Sequence, residues 1–194
     1  MDNNYKIILA SKSPRRAEIL RMIRLNFKVE PSYIYEQINP KIEQNQTAIN
    51  VSKAKAEAIS HKYPNDIIIG ADTIVIFKGE IFGKPKDLNE SKKMLKALSG
   101  NCHKVITGVT MMNNSLEILK TFSEKTEVFV HKIPTEYIEY YVKNFNTLDK
   151  AGSYGIQEWF SVWIKKINGC YYNVMGLPVS KLYKHLVEIE RLMK

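Results

Sequence analysis

Asp72, within "IIIGADTIVIF" (residues 67–77), is a carboxylate set in an apolar run, where an unpaired charge is costly. Gly70 and Ala71 beside it are small enough to admit a ligand or another chain segment. Two readings stand for Asp72: a metal ligand or general base at a strand end, or a turn cap bonded to backbone amides. A second chemical stretch is "ASKSPRRAEIL" (residues 10–20), which places Arg15 and Arg16 in the first turn of an expected helix. That is the positive end of the helix dipole, where acidic residues are favoured, so a strongly anionic ligand would account for the two arginines. "IFGKPKD" holds Lys84 between Gly83 and Pro85 in a stiff turn, which alone is an ordinary exposed lysine. "LDKAGSYGIQ" (residues 148–157) gathers Asp149, Lys150, Gly152, Tyr154, Gly155 and Gln157. Its polar groups suit a base edge and its glycines allow close backbone approach, although ordinary tight turns explain the same residues.

Several chemistries are excluded. No Walker-type glycine-rich lysine loop occurs, no G-x-G-x-x-G follows a strand, and no G-x-S-x-G elbow is present. The four histidines show no i,i+4 pairing, and Cys102 and Cys170 stand far apart, so neither a zinc site nor a disulfide framework is expected. A metal would therefore be held by oxygen ligands. The net charge of +9 and pI near 9.4 favour anionic partners, yet no zinc-finger spacing, RNA-binding motif or basic arm accompanies them. Lysine-rich stretches such as "SKKMLKALSG" read as the polar faces of amphipathic helices. Neither a nucleic-acid nor a membrane partner is expected: the longest apolar run is short of a span and contains Asp72. "MDNNYK" has neither the cationic start nor the apolar stretch of a secretory signal, which makes the cytoplasm the expected location.

The elements that must position these residues alternate strand and helix. With 194 residues, 44% hydrophobic, the chain suits a single domain over residues 1–194. A strand at 6–10 leads through the Ser13 N-cap and Pro14 into a helix to about residue 24, then a strand at 26–30. A helix is expected over 47–62, strands at 67–70 and 73–77, and a helix over 89–98 closed by Gly100. Long strands at 103–112 and 116–131 flank an "NNS" turn, and a helix runs from Pro134 to about residue 143. Asn168-Gly169 would join strands at 162–167 and 170–174, ahead of a last helix over 178–192. The fold class is α/β, with a mixed, strongly twisted sheet flanked by helices.

Taken in order, "ASKSPRR", "GADTIV", "GKPKD", "DKAGSYGIQ" and "NGCYYNVMGLP" resemble the motifs of the Maf family of nucleoside triphosphate pyrophosphatases, first named as septum-formation inhibitors. The resemblance runs from about residue 6 to about residue 185. It implies an inosine-triphosphatase-like fold with two lobes around a cleft. It also implies hydrolysis between the α- and β-phosphates of a nucleotide, assisted by magnesium or manganese. Ser11, Arg15 and Arg16 match the family's phosphate-binding turn, and Lys55 of "KAKA" its phosphate-reaching lysine. Asp72 matches the proton acceptor, Lys84 the lysine of the G-K-P turn, and Glu36 of "SYIYEQ" the metal-associated glutamate, so Glu36 and Asp72 are the implied metal ligands. Asp149 and Lys150 fall in the motif implied to bind substrate. Arg15, Thr73 and Gln157 match the markers of the subgroup cleaving dTTP and UTP. Where many relatives continue with a glycine-rich stretch, this chain has "EWFSVW" (residues 158–163), bulky aromatics beside the implied base pocket. The alternatives are a pyrophosphatase for 7-methyl-GTP or another nucleotide, and a nucleotide-binding regulator of cell division without significant catalysis. A homodimer is implied by the resemblance alone.

Overall fold

The computed structural model describes residues 5–35 and 42–193. Strand β1 (Ile7–Leu9) is apolar at every position and buried on both faces, as expected of a parallel strand covered by helices. It pairs in parallel with β2 (Phe27–Val29) and with β3 (Ile67–Phe77), with Leu9 opposite Val29 and Ile69. Helix α1 (Pro14–Met22) makes the crossover from β1 to β2, and α2 (Gln44–Ser60) lies between β2 and β3 in sequence. Strand β4 (Glu80–Phe82) folds back antiparallel onto β3. The two residues between them, Lys78 and Gly79, have φ of 51° and 87°, the left-handed pair that a tight hairpin requires.

Helix α3 (Leu88–Leu98) follows, capped by Asp87, whose side chain accepts the Glu90 N–H at 2.8 Å. Then come β5 (Cys102–Asn113), β6 (Ile118–Val130), α4 (Thr135–Asn144), β7 (Ile164–Asn168), the single-turn α5 (Tyr171–Met175) and α6 (Val179–Leu192). Among the described residues seven strands form one mixed sheet in the order β2-β1-β3-β5-β6-β7, with β4 also on β3. The mixed α/β architecture expected from the sequence is the one that forms. No helix among the described residues is long and apolar enough to cross a membrane.

The chain partitions into two compact units, Met1–Asp72 with Thr107–Glu124 and Gly176–Lys194, and Thr73–Ile106 with Lys125–Met175. In the first, Ile8, Ala10, Ala56, Ile59 and Ile68 form a core against which Tyr63 and Met112 pack. Gly70 lets α2 lie directly on β3: a Cβ there would stand 2.2 Å from the Ser52 carbonyl oxygen and 2.9 Å from the Ala56 nitrogen. In the second, Leu95, Leu98, Ile138, Tyr141, Val142 and Phe160 are buried. The Tyr141 ring stacks on Phe145 and Trp159 and packs against Phe160.

Four local expectations are corrected. Residues 70–72 do not interrupt the strand, because β3 runs unbroken from Ile67 to Phe77; Asp72 therefore sits in mid-strand and not at a strand end. Ser13 occupies the N-cap of α1, but its side chain makes no capping bond. Trp159–Trp163 is a 3-10 turn, so the strand expected from residue 162 begins at Ile164. The strand expected at 170–174 is instead α5, because Thr126 Oγ1 accepts the Cys170 N–H at 3.0 Å and holds the chain in a turn after Gly169.

Candidate active site

In the first unit, β1 and β3 set the site through their register. The Ala10 N–H donates to the Ile69 carbonyl at 2.8 Å, so the turn that begins at Ser11 leaves the sheet beside Gly70–Asp72. Ser11 is buried, and its hydroxyl oxygen accepts from the Ser13 N–H at 3.2 Å and from Arg16 Nη1 at 2.9 Å. Arg16 is also buried and donates through Nε to the Gly176 carbonyl at 2.8 Å. That carbonyl is a partner no sequence pattern pointed to, supplied by the approach to α6. Arg15 is half-buried next to it, and the first turn of α1 contains no acidic residue. The result is a helix N-terminus with its first-turn amides, two guanidinium groups and a serine hydroxyl, a set suited to phosphate oxygens.

The buried face of α2 includes Ser52, Lys55, Ala56 and Ile59, spaced three and four residues apart. With α2 seated on Gly70, Lys55 Nζ reaches Asp72 Oδ1 at 2.7 Å, and the two side chains are 9% and 10% exposed. The cost suspected from sequence, a charged carboxylate inside the protein, is thus met by an ion pair. A buried pair of this kind adds little net stability over an apolar substitute, because desolvation offsets the attraction. Its value is chemical: a cation and a carboxylate held together on regular elements.

The second unit holds the other expected residues. Thr73, half-buried, follows Asp72 on β3, where successive side chains face opposite sides of the sheet. Lys84 is exposed in the turn after β4. The Gly83 carbonyl accepts the Gly152 N–H at 3.1 Å, which fastens the lysine turn to the residue 148–157 stretch. Gly152 has φ of 68°, and a Cβ there would meet the Val75 side chain at 3.0 Å. Gln157 is exposed, and Asp149 is half-buried.

Lys150, expected among the substrate-contacting groups, is 4% exposed. Its ammonium meets Glu158 at 2.9 Å and Asp149 at 3.0 Å, and it bonds the Asn146 carbonyl. The sequence had marked Glu158 only as a departure from a family pattern. Tyr141 had no mark at all, yet its hydroxyl donates to Glu158 Oε2 at 2.9 Å. Burial pushes that phenol's pKa above its ordinary value, so it stays protonated as a donor. Behind Tyr154 lies His103, whose Nε2 is 2.7 Å from the Tyr154 hydroxyl and whose pKa burial lowers to about 4. Its Nδ1 has no hydrogen-bond partner among the described residues.

Glu36 lies outside the described residues. Among the described residues no group of three or more His, Cys, Asp and Glu side chains could hold a metal ion. Magnesium is commonly held by one or two carboxylates together with substrate phosphates, and Asp72 offers a carboxylate of that kind.

The family model described as Maf-like protein matches residues 6–189. The chain belongs to the Maf family. It is 47% identical over 178 residues to a dTTP/UTP pyrophosphatase of Thermosipho africanus, covering 92% of this chain and 90% of that protein. It is 45% identical over 185 residues to one of Cytophaga hutchinsonii (95% and 84% covered) and 43% identical over 186 residues to one of Pyrococcus horikoshii (96% of each). Among solved structures, the Ham1 protein of Staphylococcus aureus is a more distant likeness, at 16% identity and a TM-score of 0.44 over 64% of this chain and 71% of that one. The five motifs that resemble the Maf family all lie within the matched span.

Proposed function

We propose that the protein hydrolyses dTTP and UTP to the nucleoside monophosphate and pyrophosphate. The observation that carries this reading is the buried Lys55–Asp72 pair on the strand beside the Ser11–Arg16 turn. Its relatives named dTTP/UTP pyrophosphatases, at 43 to 47% identity over 84 to 96% of their length, support the choice of substrate. In this reading the amides of the α1 N-terminus, Ser11, Arg15 and Arg16 bind phosphate oxygens, the arginines through their bidentate forks. Lys55 and Lys84 offset the charge of the leaving pyrophosphate. Asp72 accepts a proton from the water whose oxygen forms the new bond to the α-phosphorus, as the bond to the bridging oxygen breaks and its electron pair leaves with pyrophosphate. Magnesium or manganese, when bound, neutralises phosphate charge and polarises the phosphoryl oxygens. Gln157, with Thr73 and Arg15, selects the pyrimidine nucleotide. Residence in the cytoplasm and a homodimeric assembly belong to the same proposal.

The test is pyrophosphate release from a panel of nucleoside triphosphates with magnesium, with manganese and with chelator. Metal-dependent release led by dTTP and UTP is expected. Release led by 7-methyl-GTP or another nucleotide would keep the enzyme and remove the pyrimidine assignment. No release by folded protein with either metal would favour a nucleotide-binding regulator.

A further inference from the structure

The turn carrying Gln157 is held at both ends by one hydroxyl. The Glu158 N–H donates to the Gly155 carbonyl at 3.3 Å, so residues 155–158 form a β-turn with Ile156 and Gln157 at its corners. Ile156 is buried and Gln157 exposed. The Gly155 N–H donates to the Tyr141 hydroxyl at 3.1 Å, and that hydroxyl donates onward to Glu158 Oε2 at 2.9 Å. The other carboxylate oxygen of Glu158 meets the Lys150 ammonium at 2.9 Å. Tyr141 is 1% exposed and Lys150 4%, so these bonds lie away from water, where a missing partner is costly. A Cβ at Gly155 would stand 2.8 Å from the Glu158 carboxyl carbon, so a side chain there would push that carboxylate from its place.

Such investment in a four-residue turn is explained if the position of its exposed corner matters. A glutamine amide offers both donors and an acceptor, the complement of an imide edge such as that of uracil or thymine. It discriminates only if held at a fixed distance; a mobile amide would adjust to a larger purine. We infer that Tyr141 and Glu158, braced by Lys150, are positioning residues that fix Gln157 for selection of the pyrimidine base. The inference rests on the proposed role of Gln157 as the base-reading residue.

A double-mutant cycle tests it, with kcat and KM measured for dTTP and GTP in the wild type, Tyr141→Phe, Gln157→Ala and the double variant. Tyr141→Phe keeps the ring stack and removes only the hydroxyl. It is expected to raise KM for dTTP about tenfold with kcat within about twofold, the effect of one buried hydrogen bond. The preference for dTTP over GTP in kcat/KM should fall by a similar factor. In the Gln157→Ala background the same change should add nothing, because its effect passes through Gln157. Multiplicative losses, or a fall in kcat at unchanged KM, would assign Tyr141 a merely structural role and overturn the inference. Should Tyr141→Phe fail to fold, Glu158→Gln, which keeps the shape and an acceptor for Tyr141, enters the cycle under the same criteria. A wild type inactive on dTTP, or Gln157→Ala with unchanged KM, would bring down the underlying reading and the inference with it. A KM effect of Gln157→Ala without one from Tyr141→Phe would remove the positioning residues alone.

Discussion

Lys55 and Asp72 are carried by a 17-residue helix and an 11-residue strand, whereas Gln157 is carried by the corner of a four-residue turn. The first pair is located by backbone packing: α2 rests on β3 at Gly70, and the side chains then have one way to meet. The second residue has no such frame, and its place depends on side-chain bonds from Tyr141, Glu158 and Lys150. Under the proposed function the reacting groups gain from the first arrangement, because small displacements are costly to the barrier. Base selection by Gln157, in the same proposal, accepts the second, since loops adapt readily when their supports change.

The largest expected effect falls on the pair. Asp72→Asn keeps the shape and one acceptor for Lys55 while removing proton acceptance, so kcat is expected to fall at least ~100-fold; because it takes the counter-charge from the buried Lys55 ammonium, a stability loss of about 3 kcal/mol accompanies it in a variant that still folds. Turnover within a few-fold of wild type would take the proton from Asp72 and leave its ion pair a structural one, collapsing the contrast between the two regions.

The same contrast explains what the sequence disclosed. The β1–turn–α1 passage was legible because Ile7–Leu9, Pro14 and the apolar face of α1 signal it locally. Asp72 stands out in the sequence for its chemistry, but Gly70 and Ala71 resemble a break and suggest a strand end; what makes Gly70 necessary is its packing against α2, which no local pattern signals. Tyr171 to Val174 has the aromatic and β-branched character of a strand, and Thr126 overrides it from a distant strand. The support of Gln157 was the least legible, because Tyr141 reads as a core aromatic on α4 and Lys150 as one more polar group in its loop. Pairings of this sort leave no periodic trace. The five ordered motifs identified the family, but they carry no sign of the contacts that Lys150 makes with Glu158 and Asp149.

Two glycines allow the regions to be perturbed in the same way. In Gly70→Ala the new methyl meets backbone atoms of α2, which cannot move without shifting Lys55; a loss of about 2 kcal/mol in urea unfolding is expected, with lower kcat. In Gly155→Ala the methyl meets the end of the Glu158 side chain and no backbone atom, so the side chain gives way, loosening its bonds to Tyr141 and Lys150, while the backbone stays in place. Its stability cost should be smaller, with the change appearing as a higher KM for dTTP. Equal stability losses at the two positions, by the same unfolding measurement, would show that the turn is framed by packing as firmly as the pair.

The smallest expected effect concerns acid and the support beneath the turn. His103, buried against Tyr154, has a pKa of about 4 in the folded protein against an ordinary 6.5, because burial disfavours its charged form. Between these values the unfolded chain binds a proton that the folded chain does not, so stability falls as pH drops from 6.5 towards 4. By pH 5.5 the loss from this one residue is about 1 kcal/mol relative to pH 7.5. Glu30, held to about 2 chiefly by its hydrogen bond from Lys62 and also by Tyr63 and Lys28, responds only at lower pH. Urea unfolding of wild type and His103→Gln at pH 7.5 and 5.5 isolates the effect: the variant starts less stable but should lose about 1 kcal/mol less on acidification. Parallel losses in the two proteins would mean that His103 takes up its proton while folded. The floor beneath Tyr154 and the Gln157 turn would then be more open to water than the buried pair of the first unit.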